Sequence, residues 1–350
     1  MDRIGPATSL RRLTVSVVIV AYNSGPALTR CLDSLRAERD RGTTLEAIVV
    51  DNGDGGDEIE RARHLEFVRL LEPDRNLGFA AGSNLGADAA GGEILLFLNP
   101  DTVVVEGALD ELVDTLEEAE ADFAMPRLLL LDDPATLNSA GCAIHVAGLG
   151  WSSGFGQPVE TLTDPREITY ANGSVLAIRS RRFAELGGFT PELFIYHEDL
   201  ELGWRGRMRG WRAVVNPSAD VLHEYAHERN PTKNYFMERN RLIFVSTAYS
   251  GRLLLVLGPL LAATELAMLA LALREGWFRD KLRGWSWCLK NLGWIRDHRR
   301  ALQRARTVPD RRLAEFLTPV VDPAMIDVPR AIQALNPVIG GYWALARRLL

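Results

Sequence analysis

The chain has 350 residues, of which 47% are hydrophobic and 25% charged, close to the averages for ordinary soluble proteins, which argues against disorder and against a polytopic membrane protein. Its cysteines, Cys31, Cys142 and Cys288, lie far apart and form no C-x-x-C pair, so neither a disulfide framework nor a zinc knuckle is indicated. The formal net charge is −6, yet residues 274–312 contain twelve Lys or Arg against four Asp or Glu. This basic segment requires a separate explanation.

The first 125 residues alternate short, β-branched apolar runs with helical periodicity, the pattern of parallel strands joined by crossover helices. Each run is nearly continuous in apolar residues, as a sheet covered on both faces requires. The four predicted strands are residues 15–23, 46–53, 66–73 and 93–101. Arg11 and Arg12 precede the first run, but its short length and the helical pattern after Pro26 favour a buried strand over a signal peptide.

The third connection places Gly78, Gly82 and Gly86 four residues apart. This spacing predicts a helix with a small-residue face that packs close to backbone or ligand. The order of the glycines is not that of G-x-G-x-x-G, so a dinucleotide-binding turn is not indicated.

Polar residues gather at the C-terminal ends of the predicted strands, where open α/β sheets bind their ligands. They are Tyr22, Asn23, Asp51, Asn52, Asn76, Asn99 and Asp101. Asp and Asn also favour turns for local reasons, so a structural role is the alternative for each of them. Asn99-Pro100-Asp101 follows a strand directly and presents a carboxylate rigidly, which suits Mg²⁺ or Mn²⁺ bound together with a substrate diphosphate. A turn with a helix cap is the alternative at this position.

Residues 127–170 are irregular, and strand patterns return at 171–180 and 211–225 around a helical pattern at 199–210. The second half is therefore predicted to mix strands and helices. Glu198 and Asp199 stand at the start of the helical pattern, where the helix dipole favours acidic side chains. A carboxylate that takes a proton in catalysis is the functional alternative.

His223, Glu224 and His227 spell the H-E-x-x-H pattern of zinc metalloproteases. That site needs both histidines on one face of a helix, the glutamate as base and a third ligand. Flanking prolines leave little room for such a helix, residues 213–223 are typical of a strand and turn, and no third ligand stands out. The sequence therefore disfavours a protease.

Six segments, in their order and spacing, resemble the family-2 glycosyltransferases. They are "VSVVIVAYN", "VVDNG", "RNLGFAAGSNLG", "LFLNPD", "ANGSVLAIRS" and "GGFTPELFIYHEDLELGWRGRMRGWR". The resemblance is strongest to the bacterial branch that includes rhamnosyltransferases of cell-wall and surface-polysaccharide assembly. It implies a GT-A fold, an α/β fold whose mostly parallel, Rossmann-like sheet is flanked by helices, and an inverting mechanism. The expected domain is 14–245, with a nucleotide-sugar half (14–125) and an acceptor half (126–245), between an N-terminal tail (1–13) and a helical, basic, membrane-associating region (246–350).

The resemblance also assigns roles to matching positions. Donor-binding roles fall on Tyr22, Asn23, Asp51, Asn52, Asn76, Gly78, Asn84 and Asn99. Asp101 matches the last carboxylate of the metal-binding D-x-D motif, in which Asn99 replaces the first Asp and can ligate only through a neutral carbonyl oxygen. His223 matches a histidine that joins the metal in several relatives. Asp199, beside Glu198, matches the catalytic base, because inverting transfer is a single displacement that needs a carboxylate to take the acceptor proton.

Three further side chains have two interpretations each. Trp204 lies five residues after Asp199 and either lines the acceptor pocket, offering an aromatic face to a sugar, or belongs to an ordinary core stripe. Arg239 and Arg241 either meet phosphate or are solvated surface arginines, and the second interpretation is favoured.

Residues 253–273 contain one charged residue, Glu265, and as a helix would measure about 31 Å, enough to span a bilayer. Gly258-Pro259 is expected to break this helix, and Glu265 deep in lipid would cost roughly 2.5–3.5 kcal/mol. Nucleotide sugars and the following basic segment both belong on the cytoplasmic side. We therefore expect a kinked re-entrant or interfacial element, with Trp277, Trp285, Trp287 and Trp294 at the interface. A buried helical hairpin, on a soluble enzyme or in a homodimer, is the alternative.

Together these features predict an inverting, metal-dependent hexosyltransferase on the cytoplasmic face of the cell membrane. The expected cofactor is Mg²⁺ or Mn²⁺, and the expected partners are a nucleotide-diphosphate sugar, a glycan or lipid-linked acceptor and the membrane surface, with no nucleic acid. The resemblance favours L-rhamnose from dTDP-rhamnose. A catalytically silent nucleotide-sugar-binding partner of another transferase is the alternative, supported by Asn99, and a zinc metalloprotease is a remote one.

Overall fold

The β-branched runs of the first half form the parallel side of a large mixed sheet. The computed structural model describes residues 13–53, 55–225, 232–321 and 333–350. Its strands are β1 (Val15–Ala21), β2 (Leu45–Asp51), β3 (Val68–Leu71), β4 (Ile94–Leu98), β5 (Thr102–Val104), β6 (Phe123–Leu130), β7 (Leu137–Ser139), β8 (Cys142–His145), β9 (Gly150–Ser152), β10 (Arg166–Ile168), β11 (Val175–Arg179), β12 (Ala213–His223) and β13 (Leu317–Thr318). Its helices are α1 (Pro26–Asp40), α2 (Asp57–Arg63), α3 (Gly78–Asp88), α4 (Ala108–Glu118), α5 (Ser180–Leu186), α6 (Glu198–Met208), α7 (Lys233–Ala248), α8 (Gly251–Glu275), α9 (Phe278–Lys290), α10 (Leu292–Ala305), α11 (Asp310–Leu313) and α12 (Asn336–Ala346).

The main sheet runs in the order β10-β12-β6-β11-β4-β1-β2-β3, with β5 paired to β12 and β7 to β6. Strands β3, β2, β1 and β4 are mutually parallel, whereas β11 lies antiparallel between β4 and β6. Strand β12 returns parallel to β6. The predicted fold class is confirmed, because a central sheet flanked by helices is followed by a helical C-terminal region.

The four predicted strands are confirmed, but each is shorter than its apolar run. Strand β1 ends at Ala21 and β4 at Leu98, so the polar residues that follow them stand in loops at the carboxyl edge of the sheet. Asp51 is the exception, because it is the last residue of β2.

Helix α3 packs directly on β1 because its glycines carry no side chain. A Cβ on Gly86 would lie 2.4 Å from Cγ1 of Val18, and one on Gly82 would lie 3.1 Å from Cγ1 of Val20. The small-residue face predicted from the sequence therefore contacts a strand.

The C-terminal helices return to the second half of the sheet domain. Strand β13 pairs in parallel with β8, and the hydroxyl of Tyr342 on α12 donates to the carbonyl of Val256 on α8 at 2.5 Å. Helix α8 runs unbroken through Pro259, so the expectation that Gly258-Pro259 breaks it is wrong. The proline removes one backbone hydrogen bond without ending the helix.

Candidate active site

A pocket of about 310 Å³ lies where α6 begins. It is lined by Asp199 from α6, by Asn99 after β4 and by residues 172–174 before β11. Less polar walls are supplied by Phe79, Trp151, Tyr170, Tyr196 and Met237. The pocket therefore joins a carboxylate and amides to aromatic rings, a combination that suits the polar edges and apolar faces of a sugar.

Asp199 enters this pocket in the first turn of α6 and is held there by backbone groups. Its Oδ2 accepts from the N–H of Gly173 at 2.8 Å, and its Oδ1 from the N–H of Leu200 at 2.7 Å. A Cβ at position 173 would lie 3.2 Å from Oδ2 of Asp199, so glycine permits the close approach. Both hydrogen bonds, and the start of the helix, favour the charged carboxylate.

Glu198 lies beside this carboxylate in a different environment. Its Oε2 is buried and has no hydrogen-bond partner among the described residues. Burial, and then the charge of Asp199, raise the pKa of Glu198 well above its usual range. Burial also raises the pKa of Asp199, although the N–H groups of Gly173 and Leu200 oppose that shift. Both pKa shifts favour the protonated form, and the larger one is on Glu198, so Glu198 is the carboxyl group of the pair that holds its proton to higher pH.

The backbone just before this pair has an uncommon conformation. Phe194, Tyr196 and His197 have φ values of 64°, 67° and 69°, in the left-handed region that non-glycine residues rarely adopt. Gly78 lies against this segment, where a Cβ would meet the ring of Phe194 at 2.5 Å. Backbone strain of this kind persists only where neighbouring groups hold it in place.

Helix α7 supplies those groups. Asn240 is fully buried, and its side-chain amide donates to the carbonyls of Leu193, Ile195 and Tyr196 at 2.8, 2.9 and 2.6 Å. Arg239 donates to the carbonyl of Leu193 at 2.9 Å. We call this contact between α7 and residues 192–197 the α7 clamp, and it sets the direction from which the chain enters α6.

A second cluster of polar side chains lies where β5 pairs with the end of β12. The register places His223 opposite Thr102, and His223 Nε2 lies 3.4 Å from Oδ1 of Asp101. His223 Nδ1 is 2.9 Å from Oδ1 of Asn138, an oxygen that can only accept, so the proton is assigned to Nδ1 and the lone pair of the neutral ring to Nε2.

This arrangement fits a divalent cation. Oδ1 of Asp101 is buried without a hydrogen bond within the described part of the chain, and Nε2 of His223 presents a lone pair toward it. A histidine whose other nitrogen donates to an amide oxygen is the usual orientation of a metal-ligating imidazole. No group of three or more His, Cys, Asp or Glu in the described ranges could hold a metal by itself, so substrate phosphates or water would complete the shell.

Asn99 occupies the pocket side of the same loop. Its backbone N–H donates to the carbonyl of Ser174 at 2.8 Å, and its side-chain amide lies 3.4 Å from Oγ of Ser174. The sequence-predicted Asn99 and Asp199 are thus brought to one pocket. A metal-ligating role for Asn99 remains a prediction.

A second pocket, of about 430 Å³, opens between the ends of β1 and β2 and is lined by Asn23, Gly53, Gly55 and Glu58, among others. Asp51 shapes its loop, because Oδ1 accepts from the N–H of Gly53 and Oδ2 from that of Gly55, both at 3.1 Å. Tyr22 precedes Asn23 and is 55% exposed, which leaves its ring free to stack. These are the positions predicted to hold the nucleotide.

The remaining predicted donor residues hold loops in place. Asn52 donates to the carbonyl of Gly78 at 3.2 Å, and Asn76 accepts from the N–H of Gly78 at 2.7 Å. Asn84 exchanges two hydrogen bonds with the backbone of Phe189, both at 2.8 Å. Direct donor contacts by these side chains stay predictions, whereas their structural roles are observed.

Comparison with known proteins decides the family. The family model "Glycosyl transferase family 2" matches residues 16–179. The chain is 30% identical over 266 residues to an N-acetylglucosaminyl-diphospho-decaprenol L-rhamnosyltransferase of Mycobacterium tuberculosis, covering 67% of this chain and 85% of that protein. The chain belongs to glycosyltransferase family 2.

Two further comparisons agree. This family-2 glycosyltransferase is 28% identical over 237 residues to the O-antigen biosynthesis protein RfbC of Myxococcus xanthus, covering 63% of this chain and 18% of that protein. Its structure superposes on the crystal structure of GalNAc-T7 with UDP, GalNAc and Mn²⁺ with a TM-score of 0.56, at 20% identity, over 68% of this chain and 48% of the other. The second likeness shows a shared fold, which confirms the GT-A fold.

Trp204 does not offer a sugar-binding face in this glycosyltransferase. Its side chain is fully buried, edge-on to the ring of Phe244 with centroids 5.9 Å apart, and near Tyr249 at 6.1 Å. The acceptor-binding expectation is wrong because the next helices cover this face of α6. Trp151 and Tyr196 line the pocket instead.

The favoured interpretation of Arg239 and Arg241 as solvated side chains is also wrong. Both are buried, 4% and 2% exposed. Arg241 pairs with Glu238 at 3.1 Å and with Glu265 at 2.5 Å, and Lys281 pairs with Glu238 and, at 2.8 Å, with Glu265. This charge cluster joins α7, α8 and α9.

The H-E-x-x-H pattern does not form a zinc helix around its first histidine. His223 is the last residue of β12, and Glu224 is paired with Arg30. His227 lies outside the described residues. Of this pattern, His223 alone is observed next to a carboxylate of the candidate site.

Asn240 was missed by the sequence analysis. It stands between Arg239 and Arg241 in α7, where no polar periodicity singles it out. A signal was available, because a short polar amide in a mid-helix position is costly unless its groups are satisfied by partners from elsewhere in the chain.

Proposed function

We propose that this glycosyltransferase moves a sugar from a nucleotide-diphosphate donor to a hydroxyl of a glycan or lipid-linked glycan, with inversion at the anomeric carbon. The observation that carries the proposal is Asp199, oriented by two backbone N–H groups in an aromatic-walled pocket beside Glu198, whose Oε2 is buried without a hydrogen-bond partner among the described residues. The proposed sugar is L-rhamnose from dTDP-rhamnose, because the relative from M. tuberculosis is named as an L-rhamnosyltransferase acting on N-acetylglucosaminyl-diphospho-decaprenol.

In the proposed reaction, Asp199 removes the proton of the acceptor hydroxyl as its oxygen attacks the anomeric carbon. The bond between that carbon and the donor diphosphate breaks, the nucleoside diphosphate leaves with the bonding electron pair, and the proton remains on Asp199 until solvent removes it. The raised pKa of Asp199 makes it a stronger base than an ordinary carboxylate. The pKa of Glu198 is raised further, so Glu198 adds no second negative charge beside Asp199 as Asp199 takes up the proton.

Asp101 and His223 are the proposed ligands of a divalent cation. When bound, Mg²⁺ or Mn²⁺ supplies positive charge against the departing diphosphate. The loops at Asn23 and Asp51 are proposed to hold the nucleotide. The proposed domain is 14–245, with a donor half before residue 126 and an acceptor half after it, and His223 of the acceptor half adds one ligand to the metal of the donor half.

A lipid-linked acceptor brings the reaction to a membrane surface. Nucleotide sugars are cytoplasmic, so the proposed location is the cytoplasmic face of the cell membrane, in cell-wall or surface-polysaccharide synthesis. The apolar helix α8 supports this location, since it is long and apolar enough to enter a membrane.

The test is nucleoside-diphosphate release by the full chain with Mg²⁺ or Mn²⁺, a panel of nucleotide sugars and membrane extracts as acceptor source. Asp199→Asn is expected to lower kcat by about 10²–10⁴-fold with donor binding by calorimetry preserved. The matched control is Asp220→Asn, which alters a carboxylate of β12 that pairs with Arg127. Donor binding by the unaltered chain without turnover would support the catalytically silent alternative, and full activity of Asp199→Asn would contradict the assigned base.

A further inference from the structure

Helix α8 presents an apolar stripe to solvent along most of its length. The exposed residues of this α8 stripe are Leu255, Pro259, Ala262, Leu266, Ala270 and Leu273. They follow one another at intervals of three or four residues, so they share one helix face. The three leucines are 79%, 68% and 60% exposed. A continuous apolar face of this kind marks an interaction surface.

The opposite face of α8 is attached to the protein at its start, middle and end. Leu253 and Leu257 are buried in the core formed with α6 and α7, and Ala272 is buried near the last turn. Between them, Glu265 pairs with Arg241 of α7 at 2.5 Å. A helix that contacts the domain at its start, middle and end could cross a bilayer only if the domain itself entered the bilayer. Helix α8 therefore lies along the protein surface.

Arginines stand at both ends of the α8 stripe. Arg252 and Arg274 are exposed in its first and last turns. Arg252 also lines a cavity of about 610 Å³ together with Arg311, Arg347 and Arg348; Glu315 lines it too and pairs with Arg312 at 3.4 Å. Within the described ranges the four arginines that line the cavity make no salt bridge. Arginines at the edge of an apolar face are suited to the phosphates of anionic lipids.

We propose that the α8 stripe docks in the plane of an anionic phospholipid bilayer, with its arginines on the headgroups. This inference rests on the proposed function only for its biological purpose, which is access to a lipid-linked acceptor. A second copy of the chain is a poorer occupant of the stripe. Parallel packing would set Arg252 against Arg252, so like charges would meet at that end of the stripe.

The surface differs from the one expected from the sequence, where tryptophans of the basic segment formed the interface. Trp285 donates to Glu265 at 2.6 Å. Trp287 packs edge-on against Trp294, with centroids 5.8 Å apart, and Trp294 stacks on His298. Trp277, the fourth of the expected tryptophans, donates to Glu275 at 3.1 Å. All four rings thus contact side chains of the helical region, whereas the leucines of the α8 stripe face outward.

The first experiment is co-sedimentation of the full chain with vesicles of phosphatidylcholine, with and without phosphatidylglycerol. We expect binding that requires phosphatidylglycerol and a loss of at least about tenfold in partition for Leu266→Asp. The matched control is Leu289→Asp on α9, which has the same 68% exposure and is expected to bind as the unaltered chain does. The double variant Arg347→Glu, Arg348→Glu is expected to weaken binding to anionic vesicles by at least about tenfold.

Thermal unfolding of each variant establishes that it is folded. Equal binding by the unaltered chain and Leu266→Asp would overturn the proposal, and so would loss of binding in Leu289→Asp alone. A dimer in solution that Leu266→Asp converts to a monomer, with no vesicle binding, would assign the stripe to a second copy. Turnover is measured separately with a water-soluble acceptor analogue, so failure of docking and failure of the proposed transfer are distinguishable.

A second experiment separates in-plane docking from spanning. Arg252→Cys and Arg274→Cys are made separately in a Cys288→Ser background. The other cysteines, Cys31 and Cys142, are buried, and burial raises the pKa of each to about 12, so they stay unreactive. A membrane-impermeant maleimide added outside the vesicles is expected to label both ends of α8. Labelling of one end only would show spanning and contradict the proposal.

Discussion

Asn240 donates its side-chain amide to the carbonyl oxygen of Tyr196 at 2.6 Å, which ties the middle of α7 to the backbone three residues before Asp199. Tyr196 and His197 have positive φ values, so this segment relies on outside contacts to keep its shape. The proposed base is therefore positioned by a residue more than forty places further along the chain.

Asn240→Ala is predicted to lower kcat by about 10²-fold while donor binding is largely kept, because a small displacement of a reacting group has a cost of that order. Amide hydrogen exchange over residues 193–199 should become faster. The control is Asn216→Ala, which removes another buried amide, one that donates to Thr115 at 2.9 Å in a different part of the structure. Equal losses of kcat in both variants would show that Asn240 affects activity through overall stability and not through the position of Asp199.

Glu198→Gln is predicted to gain stability relative to the unaltered chain as pH rises. The folded-state pKa of Glu198 lies well above that of an unfolded glutamate, so the folded chain binds more protons between those two values and its free energy of unfolding falls with pH across that window. Because the side chain of Gln does not titrate, the variant lacks this fall in the free energy of unfolding. Chemical denaturation at mildly acidic and mildly alkaline pH measures the difference, and an advantage for the variant that shrinks with rising pH would contradict a protonated Glu198.

The acid limb of kcat against pH should lie above the range of an ordinary carboxyl group, because burial raises the pKa of Asp199. Activity then rises with pH as Asp199 loses its proton. The same limb is expected in Glu198→Gln, since Glu198 is neutral while Asp199 titrates. A limb that moves far toward acid in this variant would show that Glu198 carries charge during turnover.

His223→Ala is predicted to weaken the apparent affinity for Mn²⁺, and Asn138→Ala to weaken it by about 10- to 100-fold through loss of the second hydrogen bond of the imidazole. Mn²⁺ titration, followed by paramagnetic relaxation of water with dTDP present, gives the affinity without turnover. His64→Ala, at an exposed position at the end of α2, is the control. Unchanged Mn²⁺ affinity in both site variants would remove His223 from the metal.

Lys281→Met is predicted to lower the free energy of unfolding by about 3–5 kcal/mol, because it leaves the buried carboxylate of Glu238 and the partly buried one of Glu265 without one of their cations. Glu265→Gln added to this variant should recover part of the loss. Arg63→Met, at an exposed ion pair with Glu72, is expected to change stability very little. Denaturant titration measures all three, and a Lys281→Met variant as stable as the unaltered chain would contradict a structural role for the cluster.

Much of the fold could be predicted from local patterns. Apolar runs ending in Asp51 and before Asn99 specify buried strands, because strand period and turn chemistry are properties of neighbouring residues. The ordered motifs likewise identified Asp101, His223 and Asp199 as a set. In the structure His223 lies beside Asp101, and Asn99 lines the same pocket as Asp199.

What only the tertiary structure decided is which side of each helix is covered. The packing of α7 and α9 buries Trp204 and leaves one face of α8 exposed. The contacts that hold these helices together join residues distant in sequence, such as Glu238 and Lys281, which are 43 residues apart. The sequence by itself determined that a single charge, Glu265, interrupts an apolar helix. Only the packed structure shows that Arg241 and Lys281 pair with this glutamate. A charge can be buried when the fold brings an opposite charge next to it, and that partner need not be near it in the sequence.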